Sequence, residues 1–531
     1  MDNIDQKKVN KELKFGVILS YFLIALNIVS GLLLVPFIIR GIGQSNYGIY
    51  TAAASLIAMF LVDLGLGTAV TKFISKYRVL SNQTQINKVV TVVFVSFLCL
   101  SAVLLVIFVS LFPFLGNIYS SFTAEELKAF RIVYIIVASY SVLTFPFSIV
   151  NGMLVSYDKI FLTKLADIIS KLIFIGLTIV VLVAHLGLYF LTACYAVHGI
   201  VSIVLKVLFV KLKTPTRFFS KVEKDEFFKL FKEVIMFSIW AAINSFGRVI
   251  LVSIAPTILG FTSSTAQGTI EIAIFAIAVQ IESYVSLFAT AFGSMFYPSI
   301  SRILFGDGED YRKSLDKFKQ FHIKIARIQV IILAIFLIGL TIFGKEFVYL
   351  WVGLDYKKSY YCILAVCLPA LIFYPLQTAE NAMAAIEKIK YCGYSTIIST
   401  IVGIGASIGF AFAFGAIGVS LGICVGFILR TVLFNVYFKK YLEINPFSFY
   451  FKSYMSFLIP IVLTSGIGIA LNMLIPGTSW LMFLAKALVT SVVYVVLVCL
   501  IGLNKEERTI VDSHLKQFAI KCKSIVGRLE K

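Results

Sequence analysis

Charge is scarce in this chain. Of its 531 residues, 14% are Asp, Glu, Lys or Arg, against about 25% in soluble domains. That excludes a soluble domain of useful size. Histidine is rarer still: His185, His198, His322 and His514 are scattered and form no metal motif. The eight cysteines sit mostly inside apolar runs, as Cys99, Cys194, Cys424 and Cys499 do. Cys362 and Cys367 have no matching Cys/His pair, so they read as small buried hydrophobes. No Gly-rich phosphate loop, nucleophile elbow or paired-carboxylate motif occurs. Nothing therefore points to catalytic residues, a metal, a cofactor or an enzyme. Period-two alternation is also missing, which excludes a β-barrel.

What fills the chain instead is apolar length. Hydrophobic residues make up 60% of it, and mean hydropathy is +0.96. A membrane-crossing helix needs about 20 apolar residues, and about fourteen such runs follow one another. They begin at 15–39 and 47–70, include 234–259, 321–343, 393–414 and 416–437, and end at 455–475 and 481–502. The expected fold is an all-α polytopic membrane protein. Residues 1–14 are polar, and the run after them is too long for a signal-peptide core, so it should stay as the first helix.

The net charge of +20 follows from topology rather than from nucleic-acid binding. With a cytoplasmic N-terminus, about 36 of the Lys and Arg fall in cytoplasmic segments and about six outside. The outside set is Arg40, Lys128, Arg131, Lys345, Lys357 and Lys358. Lys171, Arg248, Arg327, Arg430 and Lys486 lie within helices. An even helix count puts both termini in the cytoplasm. The basic segment 206–232 and the tail 505–531 then face anionic membrane lipids.

Arg248 lies near the middle of run 234–259. A charge at the bilayer centre costs about 3 kcal/mol or more, so it is kept where it meets water, a partner or a substrate. Trp240, Asn244 and Arg248 are four apart and share one helical face. One reading is a polar stripe lining a path through the membrane. The other is an arginine paired with a buried acid for packing alone. Asp167 and Lys171, also four apart, are expected to satisfy each other. Arg327, Arg430 and Lys486 are expected to snorkel from helix ends.

The chain also repeats itself. Phe145-Pro146 precedes Asp158-Lys159, and Tyr374-Pro375 precedes Glu387-Lys388, with the same Pro-to-Lys spacing of 13. Pro36 before Gly41 is matched by Pro256 before Gly260. Six helices separate the copies, an even number, so the repeats run parallel in the membrane, a transporter architecture with its site between the halves. The expected organisation is a cytoplasmic N-terminus at 1–14, a six-helix bundle with a basic linker at 15–232 and a second six-helix bundle at 233–454. A further helix pair at 455–502 and a cytoplasmic tail at 503–531 complete it. In the tail, Val511, Leu515, Phe518, Cys522, Ile525 and Leu529 build one apolar stripe, so an amphipathic surface helix is expected, serving stability rather than transport. Pro36, Pro146, Pro256, Pro369 and Pro375 read equally as hinges or as static kinks.

Several motifs then come in order. They are Val35-Pro36-Phe37 through Gly43, Tyr47-Gly48-Ile49-Tyr50, and Asp63-Leu64-Gly65-Leu66-Gly67. Phe296-Tyr297-Pro298-Ser299-Ile300-Ser301, Leu350-Trp351-Val352-Gly353 and Gly415-Ala416-Ile417-Gly418-Val419 follow. Together they cover most of the chain, and with them it resembles the Wzx-type polysaccharide flippases of the multidrug/oligosaccharidyl-lipid/polysaccharide exporter superfamily. The resemblance implies movement of a polyprenyl-diphosphate-linked oligosaccharide from the cytoplasmic to the outer leaflet of a bacterial inner membrane. Such a lipid feeds capsule, O-antigen or exopolysaccharide synthesis, alongside polysaccharide polymerase machinery. Arg248, with Asn244 and Trp240, suits an anionic headgroup. Asp63, Glu271, Glu282 and Glu380 suit pairing with that cation or carrying a coupling proton or sodium ion. A lipid II flippase is the nearest alternative; it would be expected to carry arginines in its first two helices, absent here. A drug/cation antiporter would usually have about twelve helices. A membrane-embedded polysaccharide polymerase or ligase would be expected to have a large outer loop with catalytic groups, whereas 113–128 and 344–359 are short and lack His.

Overall fold

A computed structural model describes residues 3–61, 66–294, 296–305, 311–475, 479–505 and 507–509. Among them every regular element is a helix. Hydrocarbon offers no partner to a backbone N–H or C=O, so a spanning segment must satisfy its own. The principal helices are α1 (Asn3–Ile42), α2 (Gln44–Ala58), α3 (Leu66–Val79), α4 (Gln83–Leu111), α5 (Ala124–Thr144), α6 (Ile149–Ser156), α7 (Ile160–Val183) and α8 (Gly187–Lys213). The chain continues through α9 (Lys224–Ser253), α10 (Ala255–Thr262), α11 (Gly268–Ser294), α12 (Tyr311–Val352) and α13 (Ser359–Cys367). It ends with α14 (Gln377–Ala385), α15 (Ile389–Leu442), α16 (Pro446–Leu474) and α17 (Trp480–Leu497).

Eleven helical stretches among the described residues are long and apolar enough to cross a membrane. Three features reconcile them with the fourteen runs. Helix α15 carries two runs, divided at Gly415 with φ 55° and ψ −128°. Run 47–70 is shared by α2 and α3. Run 234–259 divides where Pro256 opens α10, and its apolar stretch Phe246–Thr262 is shorter than the rest.

The sequence repeat has a backbone counterpart. Pro146 and Pro375 each sit in a 3-10 turn, Phe145–Ser148 and Tyr374–Leu376, between two helical pieces. Downstream, Asp158 and Glu387 both adopt the left-handed conformation, at φ 61° and φ 60°. The next amide closes the preceding helix in the same way: Lys159 N–H donates to the Leu154 carbonyl at 2.9 Å and Lys388 N–H to the Met383 carbonyl at 2.8 Å. This is the 6→1 bond of a Schellman stop. Two distant stretches thus use one solution, and the acid before each Lys is the residue that turns the chain.

Two units make up the chain. The first comprises 1–288, 351–369 and 383–437, the second 289–350, 370–382 and 438–531. At one end of the first unit, α2, α5, α11 and the segments beside them meet in a polar seam. Ser45 Oγ donates to Glu126 Oε1 at 2.6 Å, and Thr269 Oγ1 donates to the same oxygen at 2.7 Å. Ser121 donates through its N–H (3.1 Å) and Oγ (2.7 Å) to the Gly260 carbonyl. Helices meet flush here: a Cβ on Gly48 would run into the Thr269 carbonyl, and one on Gly268 into Ser121 Oγ. Elsewhere in this unit Asp167 pairs with Lys206 on α8 at 2.6 Å and accepts from Ser202 at 3.0 Å, not with Lys171 as expected. Lys171 instead lies over the Phe174 ring at 5.2 Å.

The second unit is built on α12. Val330, Ala334 and Ile338 pack against Phe457 of α16, and Tyr494 and Val498 at the end of α17. Two buried charges tie the last helix pair to α12. Lys486 Nζ donates to Glu346 at 2.6 Å, to Asn472 Oδ1 at 3.0 Å and to the Ile475 carbonyl at 3.2 Å. Arg327 meets Glu507 through Nε at 2.7 Å and Nη2 at 2.8 Å. It also donates to the Lys452 carbonyl (3.0 Å), Ser456 Oγ (2.7 Å) and the Gly502 carbonyl (2.9 Å), and lies over the Phe457 ring. These cations do not snorkel, and Arg430 in the first unit is buried too. The further helix pair is anchored to α12 at two points. Tail residues 511–529 lie outside the described set.

Candidate functional site

Arg248 is positioned by the residue before it. A Cβ on Gly247 would collide with Thr396 Cγ2, so α9 can approach α15 closely only with glycine there. Thr400 Oγ1 donates to the Gly247 carbonyl at 3.1 Å and pins the contact. One residue on, Arg248 turns to α11. Its Nη2 donates to Glu282 Oε1 at 2.8 Å and to Ser286 Oγ at 2.7 Å. Glu282 and Ser286 are four apart, so one helical face presents both acceptors. The carboxylate side chain is 9% exposed and the arginine 31%. A charge-assisted bond at this distance is among the stronger polar contacts a protein makes. Arg248 therefore does pair with an acid, and about a third of it stays accessible.

The helices that carry the pair, α9 and α11, also help to wall a cavity of about 320 Å³, which Arg248 and Glu282 themselves do not line. Val252, Ser253 and Pro256, one to two turns beyond Arg248, form one wall, and Gln280 and Ser283, flanking Glu282, form another. Tyr47, Tyr50, Thr51 and Ser55 come from α2, and Tyr195 from α8. The Tyr50 and Tyr195 rings lie 4.9 Å apart. Aromatic faces with hydroxyl tips, an amide and serines make a lining that can both stack and hydrogen-bond. Sequence reasoning missed the tyrosines because tyrosine counts as hydrophobic in a composition. The signal was there: Tyr47, Tyr50, Thr51 and Ser55 recur at helical spacing in a run read as greasy.

The other candidates separate. Glu271 Oε1 accepts from Lys358 at 2.8 Å and Oε2 from the Ala416 N–H at 2.8 Å, so it caps the helix that restarts after Gly415. Glu380 sits half-buried on α14, in the second unit. Asp63 lies outside the described residues, as do the side chains of Trp240 and Asn244 on α9. Among the described residues no cluster of three His, Cys, Asp or Glu could hold a metal.

A family model described as "Polysaccharide biosynthesis protein" matches residues 16–304. A "Putative O-antigen transporter" from Shigella flexneri is 23% identical over 380 residues, spanning 69% of this chain and 81% of that protein. Among solved structures, the lipid II flippase MurJ in an inward closed conformation aligns over 91% of this chain and 98% of its own, with TM-score 0.65 and 16% identity. An inward-facing multidrug resistance MATE family transporter aligns over 78% of this chain and 98% of its own, with TM-score 0.54 and 15% identity. At these identities the structural likeness speaks for the fold.

Proposed function

This chain belongs to the polysaccharide biosynthesis protein family, and on that premise we propose that it is a flippase carrying polyprenyl-diphosphate-linked oligosaccharide units from the cytoplasmic to the outer leaflet. The observation that carries the reading is Arg248, joined to Glu282 and Ser286 on helices whose next turns wall a tyrosine-lined cavity, in a chain otherwise made for hydrocarbon. A sugar headgroup cannot cross lipid unaided, since each unpaired polar group costs several kcal/mol there. Tyr50, Tyr195, Gln280 and Ser283 offer faces and hydrogen bonds to the sugar, while the tail stays in the bilayer. Arg248 offers a planar fork to the diphosphate. The charge asymmetry supports cytoplasmic termini in a bacterial inner membrane, and the matched Pro-to-Lys repeats support parallel halves that rock in alternating access.

Glu282 gives the reading a coupling step. With the cavity empty it neutralises Arg248. A diphosphate drawn to the same guanidinium competes with Glu282 for it, and Glu282 is then the acid offered to a coupling proton or sodium ion. The test is export of surface polysaccharide by cells carrying Arg248→Ala, Arg248→Lys or Glu282→Gln. Arg248→Ala abolishes export at normal membrane abundance, and Arg248→Lys keeps part of it. Normal export by Arg248→Ala sinks the role given to this residue.

A further inference from the structure

Helix α9 has two faces. Successive helical residues turn by about 100°, so Phe228, Ile235, Ile239 and Phe246 share one side and Arg248 lies on the other. The Phe228 side forms one wall of an apolar groove of about 530 Å³, to whose other wall α4 contributes Cys99 and Val103. That α4 wall belongs to a membrane span. Phe228 and Val103 are 57% and 55% exposed, so the groove is open along its flank.

Its mouth is positive. Lys224 and Lys232 stand one turn to either side of Phe228 on the same stripe, and both are exposed. The neighbouring acids do not cancel them. Glu233 projects about 140° round from Phe228, and Asp225 stands about 60° round, where exposed Lys229 one turn on answers its charge. Glu226 is turned to α4, where Lys88 Nζ donates to its two oxygens at 2.7 and 2.9 Å and Gln85 at 3.2 Å. Those hydrogen bonds from Lys88 hold the Glu226 carboxyl below its ordinary range.

We propose that this groove is a binding site for an anionic glycerophospholipid, with its acyl chains between α4 and α9 and its phosphate between Lys224 and Lys232. Apolar walls at membrane depth select the chains, and the lysine pair selects the headgroup charge. A transported lipid is disfavoured as the occupant. Arg248 lies on the other face of α9 and about 24 Å from Lys232 along the axis, so a headgroup held there is not at this mouth. The site stands whatever the chain transports.

The experiment uses the full-length chain in detergent, titrated with dioleoyl-phosphatidylglycerol or dioleoyl-phosphatidylcholine, with bound lipid counted by native mass spectrometry. Phosphatidylglycerol is expected to bind about 25-fold more tightly than phosphatidylcholine, or about five-fold per lysine. Lys224→Gln and Lys232→Gln each remove about five-fold of that preference, and the double variant removes all of it. Cys99→Phe fills the groove and abolishes binding of both lipids with the lysines intact. Equal affinity for the two lipids, or full phosphatidylglycerol affinity in the double variant, overturns the proposal. So does lysine-dependent displacement of phosphatidylglycerol by a polyprenyl diphosphate, which would give the groove to a substrate.

Discussion

Removing Glu507 should unseat the last helix pair. Its carboxylate receives both Nε and Nη2 of Arg327, whose side chain is 8% exposed, while its own is 11% exposed. It also closes a capping box: Asn504 N–H donates to Glu507 Oε2 and Glu507 N–H to Asn504 Oδ1, each at 2.9 Å. Glu507→Ala leaves a buried guanidinium uncompensated, a loss of about 3–5 kcal/mol. Truncation after Asn504 does the same, whereas truncation after Thr509 keeps the pair. The two truncations should therefore unfold at different temperatures in detergent, with the shorter chain melting earlier. Arg327→Met combined with Glu507→Leu should lose less than the sum of the single variants. The pH dependence has a definite sign. Burial pushes the Glu507 carboxyl up, but the Arg327 hydrogen bonds and the Asn504 N–H outweigh it and hold it below the ordinary carboxylate range. A lowered folded-state value means that the stabilisation is complete above the ordinary range and fades as pH falls through the folded value. The gap between wild type and Glu507→Gln should be constant near neutrality and close in acid. Equal melting of Glu507→Ala and wild type would refute the buried-pair account.

Gly247→Ala should destabilise by about 1–3 kcal/mol through overpacking against Thr396, and should reduce polysaccharide export by displacing Arg248; Thr396→Ser, which removes the colliding methyl, should restore part of both, measured by melting and by surface polysaccharide. Glu387→Gly should stabilise by about 1 kcal/mol, since it relieves a left-handed backbone at a non-glycine residue. Asp158→Gly should gain less in the same melting assay, because Asp158 also holds Arg78 at 3.1 Å.

Much of this architecture was legible because hydrocarbon demands so little of a sequence beyond length and greasiness. Arg248 was legible for the converse reason: a charge amid apolar residues has few explanations. It does pair with an acid, Glu282, as one of its two readings had it. The misplaced residues share one cause. Arg327 was assigned to the edge of run 321–343, yet α12 starts at Tyr311 and runs ten residues further back. A hydropathy run stops at its first charges, whereas a helix continues when a distant acid neutralises them. Glu271 shows the same blindness, because its partner is an amide 145 residues away. Asp167 found Lys206 on the neighbouring helix rather than the lysine four residues on. Local spacing shows who can meet, and packing decides who does.

The seam formed by Ser45, Glu126, Thr269, Ser121 and Gly260 has a consequence for leakage. In the alternating-access cycle proposed above, a joint made by interlocking apolar side chains would expose greasy surface each time it parted. This one is closed by hydroxyls, a carboxylate and bare backbone, and water can take the place of each contact at little net cost. Glycine at position 48 keeps the two sides flush, so nothing props them ajar when they meet. Such a closure works like a ground-glass stopper: tight when seated, cheap to lift, and ruined by a single grain.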